Sequence, residues 1–431
     1  MRVFIASGEV SGDLAGAGLA MTLRQRSPDL EVFGIGGARM RECGVEIDYP
    51  TNHLGRVGVS EAVTALPSLW KAYRRVRARV RLAPPDVAVL IGNDVFSVLL
   101  ARWFRARKIP TVSYFPPQVW IWGALAGIIV RSFDHVLSCF PQEQMVYQRA
   151  GSRNGAAVTF VGHYLADQVR WRTPGDIAAA RRGYGLEMGQ RIVCLMPGSR
   201  PQEIKSLAPA LFAAACELAA WDKELRFLVP ISEPRYRLAV AAETERRSLG
   251  GRVLMAESSL DALCASDLVL MSSGTASLEA ALLGVPMVVA YRVSAVTQLT
   301  VNTAIRLGLM VEDTVALPNL ILGREVVPEL KQRKVTAANI AREARSILEG
   351  GERRRRMKSS LKEISSRIKG PNSFEMVADA VLALAARGTR RLADRSVGSP
   401  TASRDRVPDG HRQRSSDGRF FEPKSTPGDS S

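Results

Sequence analysis

Cysteine, histidine and aromatic residues are all scarce in this chain, and each scarcity closes off a class of protein. The 431 residues include 5 cysteines and 4 histidines, and aromatics make up 6%. Cys43, Cys139, Cys194, Cys216 and Cys264 are odd in number and scattered, with no CxxC pair. Cys139, Cys194 and Cys264 lie in or beside apolar runs. Buried, reduced thiols of a cytosolic protein fit this usage better than a disulfide framework or a zinc site. The histidines form no metal cluster with the cysteines and no Ser/His/Asp nucleophile arrangement; His53 and His135 read as structural. No metal or cofactor is expected. There is no aromatic-rich RNA-recognition motif, finger spacing or helix-turn-helix signature, so nucleic acid is not an expected partner. The longest apolar run, Val119–Val130, is shorter than the roughly 20 residues a spanning helix needs. Met1–Val10 turns polar too quickly for a signal peptide. A soluble or peripheral protein is expected.

Acidic residues are also outnumbered, 42 against 59 lysines and arginines, for a formal charge of +17. Such a balance suits phosphorylated substrates, anionic lipid or nucleic acid without choosing among them. Hydrophobic content of 46% and charged content of 23% are globular values, and the length implies two domains. Short apolar runs alternate with helical patterns throughout. Arg2–Ala6, Glu31–Ile35, Val87–Ile91, Thr111–Tyr114, His135–Ser138 and Thr159–Val161 read as strands of one sheet. Ile192–Met196, Arg226–Val229, Arg252–Met255, Leu268–Met271 and Met287–Ala290 read as strands of a second. This alternation predicts an α/β protein with two parallel sheets flanked by helices. The hinge falls near Gly162–Pro174, giving domains 1–165 and 166–350, then helices over 351–387. Residues 388–431 are rich in Ser, Pro, Gly and Arg and read as a disordered basic tail.

Parallel sheets that face one another gather the loops after their strands around a cleft, where ligands bind. "ASGEVSGD" follows the first strand: Gly8, Ser11 and Gly12 allow a tight turn, a helix starts near Asp13, and Glu9 and Asp13 bring carboxylates. A plain N-cap is the simpler alternative for Asp13. The glycines of "FGIGGARM" require no more than a tight turn. In "MPGSRPQEI", Ser199 and free N–H groups could cradle a phosphate with Arg200 beside them; an ordinary turn with a solvated arginine is equally consistent. "SSGTASLEAALLG" presents Ser273, Gly274 and Thr275 at a helix start with Glu279 a turn further on. This arrangement suits a diphosphate and a ribose, or simply a capped helix with a favourable acid. Leu69–Ala83 is a basic helix carrying Trp70 and Tyr73, a composition that suits an anionic lipid surface as well as a solvated face.

Taken together, "SGEVSGD", "GIGGARM", "VGVSEAV", "VSYFPPQVWIW", "FVGHYLAD", "MPGSRPQEI", "SSGTASLEAALLGVPMVVAYR" and "LPNLILGREVVPEL" occur in order from residue 7 to 330. The chain resembles the lipid-A-disaccharide synthase family over nearly everything before the tail. The resemblance implies a GT-B fold, with two Rossmann-like domains facing a central cleft and the last helices crossing back. It implies an inverting glycosyltransferase that joins UDP-2,3-diacylglucosamine to 2,3-diacylglucosamine 1-phosphate, giving the β-1,6 lipid A disaccharide 1-phosphate and UDP. The N-terminal domain would then face the acceptor and the membrane, and the C-terminal domain would hold the UDP-sugar without metal.

On that reading Ser11 and Gly12 join the substrate-binding set. Ser199, Arg200 and Ser273–Thr275 meet the diphosphate, and Glu279 holds the ribose. Asn319, Glu325 and Gln332 line the nucleotide side, and His163 in "GHYLAD" becomes a candidate cleft residue. The resemblance further implies a cytoplasmic enzyme, peripheral on the inner face of the inner membrane, and it admits a homodimer. One loop departs from the family. Where it has Ile-Asp-(Ala/Ser)-Pro-Asp-Phe-Asn, this chain has "IGNDVFS", which places the family's aspartates on Gly92 and Val95. The family's Trp-Ala-Trp-Arg is Trp120-Ile121-Trp122-Gly123 here. The general base is therefore sought among Asp94, Glu9 and Asp13. A member with another acceptor, a UDP-sugar epimerase and a non-catalytic paralogue that binds UDP-sugar or lipid are the rival readings.

Overall fold

Apolar runs bounded by small or polar residues are too short for helices, and they become the strands of two parallel sheets. The computed structural model describes residues 1–51, 59–92, 95–117, 119, 126–151, 156–231, 236–306 and 314–397. The first sheet contains β1 (Arg2–Ser7), β2 (Glu31–Gly36), β3 (Glu46–Pro50), β4 (Val87–Ile91), β5 (Thr111–Tyr114), β6 (His135–Ser138) and β7 (Ala157–Phe160), in the order β3-β2-β1-β4-β5-β6-β7. The second contains β8 (Ile192–Met196), β9 (Arg226–Pro230), β10 (Val253–Ala256), β11 (Leu268–Ser272), β12 (Met287–Tyr291) and β13 (Glu329–Lys331), in the order β10-β9-β8-β11-β12-β13. Every adjacent pair in both sheets is parallel. Helices cover both faces, so central strands such as Val87–Ile91 and Leu268–Ser272 are buried at every position.

The expected two-sheet α/β architecture is present, with differences at its margins. The edge strands β3 and β13 are additional, and β7 ends one residue earlier than expected, at Phe160. The helix after β1 begins at Val10 with Glu9 as its N-cap, not near Asp13. The last helix runs from Ser373 to Val397, so residues 388–397 of the expected tail are helical, and 398–431 lie outside the described residues. The helix Pro201–Trp221 is long and apolar enough to cross a membrane. Its Leu207, Leu211, Phe212, Ala215 and Leu218 are nevertheless buried in the core.

The chain passes between the sheets twice, and the two passages touch. Outbound, it turns at Gly162, and the His163 N–H donates to the Ile368 carbonyl at 2.9 Å. On the return, the Ser373 N–H donates to Asp167 Oδ2 at 2.8 Å, which fixes the start of the last helix. That helix lies against the helix Val10–Arg26. The Phe374 ring covers Gly18, whose Cβ would lie 2.2 Å from it, and Arg26 pairs with Glu375 and Asp379. The C-terminal helices thus cross back onto the first half of the chain.

Candidate active site

In both sheets the strand order reverses beside the first strand, between β1 and β4 and between β8 and β11. In open parallel sheets such reversals leave a crevice at the carboxyl ends of the strands, because the helices that follow diverge to opposite faces. The loops and helix starts at these points are Gly8–Gly12, the turn at Gly92, Pro197–Arg200 and Ser273–Thr275. Four of the sequence motifs therefore converge on the two crevices.

The two crevices meet through Arg200. Its Nη2 donates to Glu9 Oε2 at 3.0 Å, from the first sheet's loop, and its Nη1 to Glu203 Oε1 at 2.6 Å. Burial works against the guanidinium charge, but Glu9 and Glu203 outweigh it and lift its pKa above the ordinary arginine value. Glu203 does more. Its other oxygen accepts from the Ser199 N–H at 3.1 Å and the Arg200 N–H at 3.4 Å. The N–H groups expected to await a phosphate are thus already engaged by a carboxylate of the same helix. Arg200 remains able to meet a ligand through its side chain; the turn beneath it is a self-capped helix start.

The helix start after β11 is more open. Among the described residues a Cβ on Gly274 would meet nothing within 4 Å, which leaves room for a ligand against the backbone. Ser273 donates its hydroxyl to the Val315 carbonyl, and Thr275 opens the helix Thr275–Leu283. Glu279, one turn further, has no hydrogen-bond partner among the described residues. Burial raises its carboxyl to about 7. The buried hydroxyl of Tyr164 is also unpartnered, and its pKa is raised by burial and then by the charge of Glu279. Gln332 follows β13, likewise at the carboxyl ends of the strands; its Oε1 accepts from the Val293 N–H at 3.3 Å.

Asn319 and Glu325 are placed differently from expectation. Asn319 is 4% exposed, and the protein itself engages its amide. Nδ2 donates to Val327 O at 2.9 Å and Glu329 Oε1 at 2.8 Å, while Oδ1 accepts from the N–H groups of Val326 and Val327 at 2.7 and 2.9 Å. Glu329 in turn accepts from the Val315 and Ala316 N–H groups, ahead of the helix Leu317–Leu322. Asn319 therefore shapes the wall around Ser273 through Glu329 and Val315. Glu325 is exposed after that helix and before β13, on the amino-terminal side of the strands and away from the loops at their carboxyl ends, in a groove with Arg353 and Arg356. It does not join the cluster.

In the first half, Gly12 is buried, and a Cβ there would lie 2.5 Å from Ser7 Oγ, so glycine lets the helix approach β1. Ser11 precedes it, half-buried in the first helical turn. Asp13 accepts from the Gly37, Arg39 and Met40 N–H groups at 2.6, 3.0 and 3.3 Å. It caps the helix Ala38–Glu42 instead of its own, and its oxygens are engaged. Asp94, Trp120, Trp122 and Gly123 lie outside the described residues. His163 is 3% exposed between Phe115, Phe140 and Tyr164, accepts from the Leu165 N–H at 3.2 Å, and burial lowers its pKa to about 3. It is a neutral packing residue of the crossover.

Glu203 and Gln142 were not among the candidate site residues read from the sequence. A carboxylate three positions after a turn residue and just inside a helix is a capping pattern, and it could have revealed Glu203. Gln142 joins the two halves by donating to the Ile321 carbonyl at 2.7 Å, a contact with no local sequence signal. Among the described residues no group of three or more His, Cys, Asp or Glu side chains is placed to hold a metal ion.

Two doubly wound domains with converging crevices, helix starts and an arginine at the mouth define a GT-B-type protein. Solved structures share the fold: UDP-GlcNAc 2-epimerase from Neisseria meningitidis, bound to UDP-GlcNAc, has a TM-score of 0.58 at 14% identity, covering 90% of this chain and 100% of that one. Residues 3–400 match the family model described as lipid-A-disaccharide synthetase. The lipid-A-disaccharide synthase of Synechocystis is 32% identical over 394 residues, 89% of this chain and 98% of the relative. That of Xylella fastidiosa strain M23 is 38% identical over 339 residues, 78% and 86%. The chain belongs to the lipid-A-disaccharide synthetase family and is a glycosyltransferase that forms the lipid A disaccharide.

Proposed function

We propose that the second half of the chain holds the donor UDP-2,3-diacylglucosamine and that the acceptor, 2,3-diacylglucosamine 1-phosphate, enters from the first half. The observation that carries this reading is Arg200, a partly buried guanidinium between the two crevices, 3.0 Å from Glu9 across the cleft. The acceptor's 6-hydroxyl oxygen attacks the anomeric carbon while its proton passes to a carboxylate. The anomeric C–O bond to the diphosphate breaks, and its electron pair leaves with UDP. The growing negative charge is met by Arg200 and by the open helix start at Gly274–Thr275. Glu279 accepts hydrogen bonds from the ribose. Asp13 is an unsuitable base, because three backbone N–H groups already occupy its oxygens; Glu9 and Asp94 remain.

Both substrates carry acyl chains, and we assign their delivery to the helix Val59–Leu82. Its Ala72, Val76 and Val80 are buried, while Leu66 and Trp70 are 59% and 58% exposed next to exposed Lys71, Arg74, Arg75 and Arg81. Apolar anchors ringed by cations suit an anionic bilayer surface. The protein then works from the cytoplasmic face of the inner membrane.

The test mixes purified protein, both acylated substrates and a detergent. Stoichiometric UDP and disaccharide phosphate support the proposal. UDP-diacylglucosamine consumed without acceptor favours epimerase chemistry, and UDP binding without turnover favours another acceptor.

A further inference from the structure

Arg200 has partners of two kinds. Glu203 sits on the same helix and also holds the Ser199 and Arg200 N–H groups, so it travels with the guanidinium. Glu9 belongs to the other domain, reaches Arg200 at 3.0 Å and is 38% exposed. It is the exchangeable partner. A diphosphate offers more charge and more acceptor oxygens than one carboxylate, and guanidinium forks favour phosphate oxygens strongly. Because Glu203 occupies the turn's N–H groups, the guanidinium is this turn's means of meeting the donor. We propose that Glu9 is a positioning residue that competes with the donor diphosphate for Arg200. It holds the guanidinium across the cleft in the free protein and surrenders it when the donor arrives, which releases the Glu9 carboxylate on the acceptor side. This inference rests on the donor reading above.

Calorimetry with UDP on the full chain tests it, using wild type, Glu9→Gln, Arg200→Ala and the double variant at one ionic strength. Glu9→Gln leaves the backbone carbonyl of Glu9 in place, where it accepts from Ser7 Oγ at 3.0 Å and the Asp13 N–H at 2.9 Å. Loss of a competing ion pair tightens UDP binding roughly threefold to tenfold in Glu9→Gln, whereas Arg200→Ala weakens it. In the Arg200→Ala background, Glu9→Gln has no further effect, since there is nothing left to compete for. Unchanged or weaker binding in Glu9→Gln overturns the proposal. So does equal tightening with and without Arg200, which would mean simple charge repulsion. Absence of UDP binding by the wild type removes the donor reading itself and this inference with it, and is thereby distinct from the other outcomes.

Discussion

A Cβ placed on Gly162 would lie 2.3 Å from the amide nitrogen of Gly370, so the two passages of chain between the domains touch backbone to backbone. Gly162 also has φ of +78°, a conformation that other residues adopt at a cost. Both constraints fall on one residue at the crossing, and the His163 N–H to Ile368 carbonyl bond is adjacent. Gly162→Ala is therefore expected to lower stability by about 2 kcal/mol or more. Urea titration of the variant checks this. A midpoint within error of wild type would show that the passages can part freely.

Acid sensitivity should concentrate at His163. Burial lowers its pKa from 6.5 to about 3, so the unfolded chain binds a proton there before the folded one does. Its contribution is fully present above pH 6.5 and is lost as pH falls toward about 3, at up to roughly 1.4 kcal/mol per pH unit. His163→Asn places an acceptor near the Leu165 N–H without the titrating ring. The difference in unfolding free energy between wild type and variant should shrink steadily through that window, although the variant is less stable at pH 7. A difference that stays constant with pH would remove His163 as the source.

The parts of this fold legible in the sequence are those where one physical cause dominates. β4, β5, β6, β8, β11 and β12 are buried strands whose apolar runs announce them, and small-residue turns mark the loops that follow. β3 and β13 were missed because an edge strand need not be apolar: Glu46–Pro50 and Glu329–Lys331 owe their pairing to a neighbour already in place. The site shows the same division. Arg200, Gly274 and Glu279 are set by local turns and helix starts, and they stand at the crevices. Asn319 is in a motif that reads as ligand-lining, but its four bonds go to Val326, Val327 and Glu329, whose approach depends on the folded sheet. Likewise Asp13 caps a helix that is remote in sequence, which no local pattern around it could show.

Arg181 ties the second domain together and should be costly to replace. Its side chain, 4% exposed, pairs with Asp267 at 2.8 Å. It also donates to the carbonyls of Ala265, Glu187, Met188 and Gln190. Arg181→Met fills some of the volume but strands these acceptors, and the loss is expected to be about 3–5 kcal/mol. Thermal or urea unfolding measures it. A loss below 1 kcal/mol would mean that water replaces the guanidinium there.

Glu279 should trade stability for ligand affinity. Burial raises its carboxyl to about 7, so its raised-pKa contribution is fully present below the unfolded value of 4.5 and is lost as pH rises through about 7. Glu279→Gln removes that loss and is expected to make the ligand-free protein more stable than wild type at pH 8. The same change should weaken UDP binding about tenfold, because an ionised acceptor for the ribose hydroxyls is gone. Calorimetry and denaturation on the same sample check both signs. A variant that is less stable at pH 8 and binds UDP normally would assign Glu279 a structural role instead.

The remaining question is which carboxylate takes the acceptor's proton, and Asp13 offers the sharpest test. Its oxygens accept from three backbone N–H groups at the start of the helix Ala38–Glu42. Such donors occupy the lone pairs that a base needs free. Asp13→Asn removes the charge and turns one acceptor into a donor facing those N–H groups. The expected result is a destabilisation of about 1–2 kcal/mol, with kcat per folded molecule within about twofold of wild type. Replacing the true base, Glu9 or Asp94, by its amide should instead lower kcat by about a hundredfold or more without comparable loss of stability. A hundredfold fall in kcat for a stably folded Asp13→Asn would overturn the capping assignment and return Asp13 to the chemistry.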